Sequence, residues 1–338
     1  MQTNIIEVHD LHKTYGKAII AVDGISFSVK EGEIFGFLGP NGAGKSTTIK
    51  ILTTLLEKTS GEVTINGLDV DLDQAKVRRI IGYSSQDVGV DNDLTARENL
   101  LLQCSFHHMP KKVAEKKVDD LLQTVRLKDA AERRLKTFSG GMRKRLDLAS
   151  SLVSDPKILF LDEPTTGLDP QSRQDIWNYV VELNRKGMTI FLTTQYMEEA
   201  DRLANRLCIV DQGKIVAEGT PAELKAQIGA DKITIHFKAD DLATCEKARE
   251  LMYRLQGVDA VGQCCMGLAS ENALEIMTKS GPTMLTQVVR AMDTAGIPME
   301  QINLSVPTLD EVFLKLTGKT LNVIERKEAV RTGRQRGR

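Results

Sequence analysis

The chain has 338 residues, enough for two or three domains, and its 41% hydrophobic and 27% charged content is that of an ordinary globular protein. A formal charge of −1 gives no net electrostatic pull toward nucleic acid, so no nucleic-acid partner is expected. No apolar run approaches the ~18–20 residues that cross a bilayer, and Met1-Gln2-Thr3-Asn4 has neither basic nor apolar targeting character, so the chain is expected to move no solute through a membrane by itself.

Taken in chain order, Ile5 to Leu11, Gly24 to Val29, Gly32 to Leu38 and Gly61 to Ile65 read as strands broken by glycine turns. The third runs into Gly39-Pro40-Asn41-Gly42-Ala43-Gly44-Lys45-Ser46, which fits G-x-x-x-x-G-K-[ST]. A helix-like stretch from Ser46 to Leu56 follows, so the motif stands in the strand, loop and helix context that it requires. Glycines there let the backbone curl into a nest of N–H groups, and the helix N-terminus adds a partial positive charge. Lys45 supplies a cation for the β- and γ-phosphates and Ser46 a hydroxyl for Mg²⁺, which points to a nucleotide polyphosphate. An ordinary glycine cap on a helix needs neither three glycines nor Lys-Ser at this spacing.

A helical lobe is expected from about Ala96 to Leu152, with Leu100, Leu101, Val118, Leu121, Leu122 and Val125 at helical intervals and Lys111 to Lys117 on a solvated face. Within it, Ser139-Gly140-Gly141 precedes the helical stretch Met142 to Val153, a second place where N–H groups and a helix dipole face an anion. The apolar run Lys157 to Leu161 then reads as a strand buried on both faces and ends in Asp162-Glu163. A carboxylate at the end of a central parallel strand opens onto the ligand crevice. Asp162 is thus placed for the Mg²⁺ shell, and Glu163 to polarise an attacking water. Capping before Pro164 would account for one acid but not for the pair. A helix from Pro170 to Lys186, a strand from Met188 to Thr194, a helix from Met197 to Leu203 and a hairpin of Arg206 to Asp211 with Lys214 to Ala217 complete the first domain.

Beyond Gly229 the order is strand Lys232 to Phe237, helix Leu242 to Leu255, strands Val258 to Gln263 and Ala273 to Met277, helix Pro282 to Ala295 and strand Met299 to Leu304. This is the split βαβ pattern of a ferredoxin-like fold. A helix from Asp310 to Leu316 follows, and the arginine-rich tail from Asn322 is expected to be disordered. The scattered, odd set Cys104, Cys208, Cys245, Cys264 and Cys265 is expected to be reduced thiols used in packing.

With these residues in place, the chain resembles the nucleotide-binding subunits of ATP-binding-cassette (ABC) transporters over roughly Asn4 to Gly229. The resemblance implies an α/β P-loop NTPase with a mixed, largely parallel core sheet and helical lobe, spanning 4–229; the order of elements beyond it gives a small α+β ferredoxin-like domain at 230–318, and the composition a basic tail at 319–338. It also implies roles. Tyr15 is similar to the aromatic platform for adenine, and Gln86 to the glutamine that joins the lobes and touches Mg²⁺ and the attacking water. Ser139, Gly140 and Gly141, within Phe138 to Met142, resemble the signature that completes the opposite subunit's site, and Gly167-Leu168-Asp169 the loop that communicates between paired sites. The implied catalytic set is Glu163, Gln195, Gln86 and Lys45, and the implied metal set Ser46, Gln86 and Asp162. Nucleotide contacts fall to Tyr15, the loop Gly39 to Lys45, Ser46, Thr47, Ser139, Gly140, Gly141 and Asp169.

Two positions depart from the family. Phe138 and Met142 flank the signature core where leucine and glutamine are commonest, and Gln195 stands where a histidine is common. Glutamine can hydrogen-bond the γ-phosphate region but carries no proton as imidazole does, which implies slow turnover. Thr193-Thr194-Gln195-Tyr196, Glu198-Glu199-Ala200-Asp201 and Leu309-Asp310-Glu311-Val312-Phe313-Leu314 together resemble the daunorubicin- and doxorubicin-resistance type. Members of that group energise a separate membrane permease and export hydrophobic antibiotics or related lipophilic compounds. The implied cofactors are ATP and Mg²⁺, and the implied partners a second copy and a permease holding the chain peripherally at the cytoplasmic face of the cell membrane. A soluble ABC-type factor of DNA repair, chromosome or ribosome work, and a nucleotide-gated drug binder without a permease, are the rival readings.

Overall fold

The computed structural model describes residues 3–16, 18–86, 89–238, 242–262, 265–266 and 272–318. The chain divides into two compact units, one running to Pro221 and resuming at Leu316, the other Ala222–Lys315.

The first unit opens with β1 (Asn4–Tyr15), β2 (Ile19–Lys30) and β3 (Ile34–Leu38), followed by α1 (Lys45–Leu52), β4 (Ser60–Ile65), β5 (Leu68–Asp69), α2 (Gln74–Ile80) and β6 (Ile81–Ser84). The lobe then contributes α3 (Ala96–Phe106), α4 (Lys111–Thr124) and α5 (Gly140–Ser151). The chain returns through β7 (Ile158–Asp162), α6 (Pro170–Arg185), β8 (Thr189–Thr194), α7 (Met197–Leu203), β9 (Arg206–Asp211) and β10 (Lys214–Gly219), and α8 (Pro221–Ala226) crosses the division. Antiparallel strands form a sheet in the order β2-β1-β4-β5, and the core sheet runs β10-β9-β3-β8-β7-β6, parallel except for the β10–β9 hairpin. β2 is longer than the sequence reading gave: the pairing slips past Gly24, whose φ of +68° accommodates the irregularity, and continues to Ile19.

Strand alternation sorts the core into two faces. Phe35, Phe37, Phe160 and Phe191 point toward the antiparallel sheet, where Phe27 of β2 stacks on Phe35 at 5.6 Å and lies 5.4 Å from Phe37. Ile34, Leu159, Leu161, Ile190 and Leu192 point the other way, into a core shared with α3 to α6. Fully burying such side chains contributes roughly 1.5–3 kcal/mol each, which fixes the strands that carry the site. Helix starts are equally specified: Thr95 and Glu98 close a capping box at α3, and Asp169 caps α6 ahead of Pro170. Lys111, Lys112, Glu115 and Lys116 of α4 are exposed, while Ala114, Val118, Leu121 and Leu122 are buried.

The second unit has β11 (Asp231–Phe237), α9 (Leu242–Tyr253), β12 (Val258–Val261), β13 (Cys265–Met266), β14 (Asn272–Thr278), α10 (Gly281–Thr294) and β15 (Gln301–Ser305), with α11 (Leu309–Thr317) following. Its sheet is wholly antiparallel in the order β12-β14-β11-β15, the arrangement expected of the β-α-β-β-α-β pattern. Ile233, Ile235, Phe237, Leu274 and Ile276 pack with Ala248 and Met252 of α9 and Met284, Val288 and Met292 of α10. Cys104 and Cys208 are free and buried, but Cys245 is disulfide-bonded, which corrects the expectation of reduced thiols throughout. Spacing along a chain does not reveal which Cβ atoms a fold brings within bonding distance. The tail read as disordered, 319–338, lies outside the described residues.

Candidate functional site

The loop 39–44 leaves the end of β3, and its glycines are each held for a distinct reason. A Cβ at Gly39 would lie 2.2 Å from the carbonyl oxygen of Val210, and one at Gly44 would lie 2.4 Å from that of Ala21. Gly42 has open space around it but a φ of +80°, and Gly44 has a φ of +102°. The loop therefore follows a path closed to side chains. At its end α1 begins without a side-chain cap and without an acid in its first turn. Its first N–H groups are thus available to an anion.

Lys45 is 4% exposed and curls back over this loop, donating to the carbonyls of Gly39 at 2.8 Å and Pro40 at 3.0 Å. Its ammonium also lies 3.2 Å from Oε1 of Glu163, itself 5% exposed. Ser46 Oγ donates to Asp162 Oδ1 at 3.1 Å, and Thr193 Oγ1 donates to the same oxygen at 2.5 Å. Two parallel strands, β3 and β7, thus deliver a cation, two carboxylates and a hydroxyl to one buried spot. Ser46 and Asp162 are hard oxygen donors in direct contact, a set that fits Mg²⁺.

Asp162 and Glu163 are separated by a change of backbone conformation. Glu163 has a φ of +49°, uncommon for a residue with a side chain, and its amide donates to the Thr193 carbonyl and hydroxyl oxygens at 3.1 Å each. This turn frees the second carboxylate from strand alternation, so Oε1 faces Lys45 while Oε2 accepts from Thr166 Oγ1 at 3.2 Å. Thr193, which the sequence placed in a strand and in the Thr193-Thr194-Gln195-Tyr196 resemblance without a role at the site, holds both acids in place.

Other expected site residues flank this centre. Gln86 is exposed and follows β6, the neighbour of β7, whereas Gln195 is half-buried and follows β8 on the other side. Both therefore leave the same strand ends as Asp162. Tyr15 is 42% exposed at the end of β1, with the Lys13 ammonium 5.3 Å from its ring. Ser139 caps α5, its hydroxyl accepting from the Met142 amide at 3.2 Å. Gly140 and Gly141 pack on Leu168 and Ser172, and a Cβ at Gly141 would lie 2.3 Å from Ser172 Oγ. Asp169 accepts from the Ser172 amide at 3.0 Å and hydroxyl at 2.6 Å, which holds its carboxyl below the usual range. The loop 167–169 and the N-terminus of α5 are thereby one packed surface, on elements other than β3 and α1.

Buried polar groups that the sequence reading missed surround the site. Asp147 and Lys144 of α5 bond to the segment on either side of Gln86, and Tyr83 is pushed up to about 12 by burial and by the charges of Asp162 and Asp147. Glu199 of α7 accepts from Trp177 Nε1 and Thr165 Oγ1, both at 2.9 Å. The one available signal was charged residues on the inward face of an otherwise amphipathic helix.

A family model described as "ABC transporter" matches residues 22–166, and one described as "ATP-binding protein DrrA1-3-like, C-terminal domain" matches residues 219–317. The chain is similar to a daunorubicin resistance ATP-binding protein, DrrA3, of Streptomyces coeruleorubidus, at 41% identity over 96% of this chain and 99% of the relative. It is 35% identical to a linearmycin resistance ATP-binding protein, LnrL, of Bacillus subtilis, over 94% of this chain and 99% of the relative. Among solved structures it is similar to a dimeric ATP-binding cassette in a post-hydrolysis state bound to ADP and Pi, with a TM-score of 0.59 and 29% identity over 64% of this chain and 98% of that one.

Proposed function

Because this chain belongs to the DrrA family of ABC transporter ATP-binding proteins, an ABC-type ATPase whose hydrolysis is coupled to transport, we propose that it drives the export of a hydrophobic drug or related lipophilic compound through a separate membrane permease. Relatives named for resistance to daunorubicin and linearmycin support the cargo class. Among the described residues no helix is long and apolar enough to cross a membrane, so the path for the solute is assigned to another chain, which would hold this one at the cytoplasmic face.

The observation that carries the mechanism is the buried contact of Lys45 with Glu163 beside the Ser46–Asp162 bond. Phosphate oxygens entering the loop 39–44 would draw the Lys45 ammonium away from two carbonyls and one carboxylate. Glu163, released on one side and still fixed by Thr166, would then take a proton from water aligned for in-line attack. Ser46, Asp162 and Gln86 would hold Mg²⁺, whose chemistry is to neutralise charge developing on the phosphates. Gln195 would donate its amide to the γ-phosphate region, and Tyr15 would offer its face to adenine.

Completion of the site is assigned to a second copy. Ser139 and Gly141 lie on α5, packed with the Asp169 loop rather than with β3 and α1 of their own chain. Two copies related head to tail would each close a nucleotide with the other's α5, and the dimeric state of the ADP- and Pi-bound cassette supports this arrangement. ATP then favours the closed pair, and loss of the γ-phosphate reopens it.

Glu163→Gln tests this reading in one protein. Steady-state hydrolysis should fall by about 10²–10⁴, the usual contribution of a general base. With ATP the variant should elute as a dimer and with ADP as a monomer. Wild-type turnover in the variant would overturn the assignment of Glu163.

A further inference from the structure

We propose that Lys144 and Asp147 are positioning residues for Gln86, gripping the chain on both sides of it from the helix that begins at the Ser139-Gly140-Gly141 anion trap. This rests on the role assigned to Gln86 above. Asp147 Oδ2 accepts from Ser84 Oγ at 2.5 Å, ahead of Gln86, and Asp147 Oδ1 accepts from the Gly89 amide at 3.1 Å, beyond it. Lys144 donates to the carbonyl of Ser85 at 2.7 Å and lies 3.4 Å from Asp147 Oδ2. The two charges are 4% and 7% exposed, stand three residues apart on one face of α5, and satisfy each other.

The grip is selective in what it holds. Gln86 itself is exposed, while its preceding carbonyl and flanking hydroxyl and amide are tied down. A side chain free to reach metal and water is thus mounted on a backbone that is not free to drift. Burial lowers the Lys144 pKa, against the pull of Asp147, which marks the cost of keeping an ammonium where a staple between lobe and core could have been apolar. Successive turns of α5 thereby serve different sites: the first would face the nucleotide of the partner copy, and the next, which carries Lys144 and Asp147, sets the geometry at this copy's own Gln86.

Lys144→Met keeps the aliphatic stem and removes the donor to Ser85. Expected are a tenfold or greater loss in kcat, a higher Mg²⁺ concentration for half-maximal turnover, ATP affinity within twofold of the parent, and restoration by Lys144→Arg. The decisive measurement is the cycle with Gln86→Ala: if Lys144 acts through Gln86, the double variant is no slower than Gln86→Ala alone, whereas a structural staple gives additive losses. Amide hydrogen exchange at Gly89, read without nucleotide, tests the grip apart from catalysis; it should quicken at least tenfold in Lys144→Met and in Asp147→Asn. Additive losses, equal loss of ATP affinity, or unchanged exchange at Gly89 overturns the proposal. Should Gln86→Ala hydrolyse ATP normally, the role of Gln86 fails instead, and the exchange result still decides whether Lys144 holds the segment. If Lys144→Met does not fold, Asp147→Asn carries both measurements.

Discussion

Glu199 carries the sharpest consequence of the way the loops after β7 and β8 are joined. Its side chain is 0% exposed, and Oε1 accepts from Trp177 Nε1 and Thr165 Oγ1 at 2.9 Å each. Burial raises its carboxyl above the ordinary 4.5, outweighing the hydroxyls of Thr194 and Thr165, the Trp177 indole and the charge of Arg173, all of which act to lower it. Glu199→Ala leaves two buried donors without acceptors at roughly 1–3 kcal/mol each, so about 2–6 kcal/mol is lost before the cavity adds its own cost. Glu199→Gln keeps an acceptor for both donors and removes the charge, and should cost about 1 kcal/mol or less. The pH dependence has a definite sign. A carboxyl raised by folding binds more protons in the native than in the unfolded state between 4.5 and its raised value, so its contribution to stability falls as pH climbs through that window. The glutamine variant has no such fall and should gain on the parent across the same interval. Trp177 is the only tryptophan in the chain, so urea titrations followed by its emission report the fold and the Glu199 contact together. Equal losses in the glutamine and alanine variants, or a difference between glutamine variant and parent that does not change with pH, would refute this account.

Other substitutions test the nucleotide site. Gln195→His should raise steady-state hydrolysis if the missing imidazole limits turnover, by up to about 10²–10³ for one good transition-state contact; equal rates before and after would remove Gln195 as the brake. Gly44→Ala pits a Cβ against the Ala21 carbonyl at 2.4 Å in a backbone already at φ +102°, so a loss of more than about 2 kcal/mol in unfolding free energy by denaturant titration and a loss of ATP binding by equilibrium titration are expected. Gly42→Ala meets open space and should cost only the ~1–2 kcal/mol of a side chain in the left-handed region.

What the sequence disclosed and what it withheld divide along a physical line. The loop 39–44, Lys45 and Ser46 were legible because phosphate chemistry demands those residue types at neighbouring positions, and the phenylalanine and leucine alternation on β3, β7 and β8 follows from a local period of two. The same locality made the β-α-β-β-α-β order of the second unit readable in advance. Thr193, Lys144, Asp147 and Glu199 gave no such signal, since each acts on atoms 22 to 63 positions away along the chain and threonine at a strand end or a charge in a helix has many uses. Their function lies in pairings that exist only once β6, β7 and β8 lie side by side. The positive φ of Glu163 belongs to the same class: Asp-Glu after an apolar strand announces two acids, but only the amide's bonds to Thr193 explain how one carboxylate is aimed at Ser46 and its neighbour at Lys45. A site of this kind is therefore readable at its first contact with phosphate and opaque in its supports, and those supports are where substitution should alter coupling between nucleotide and partner while leaving the phosphate loop intact.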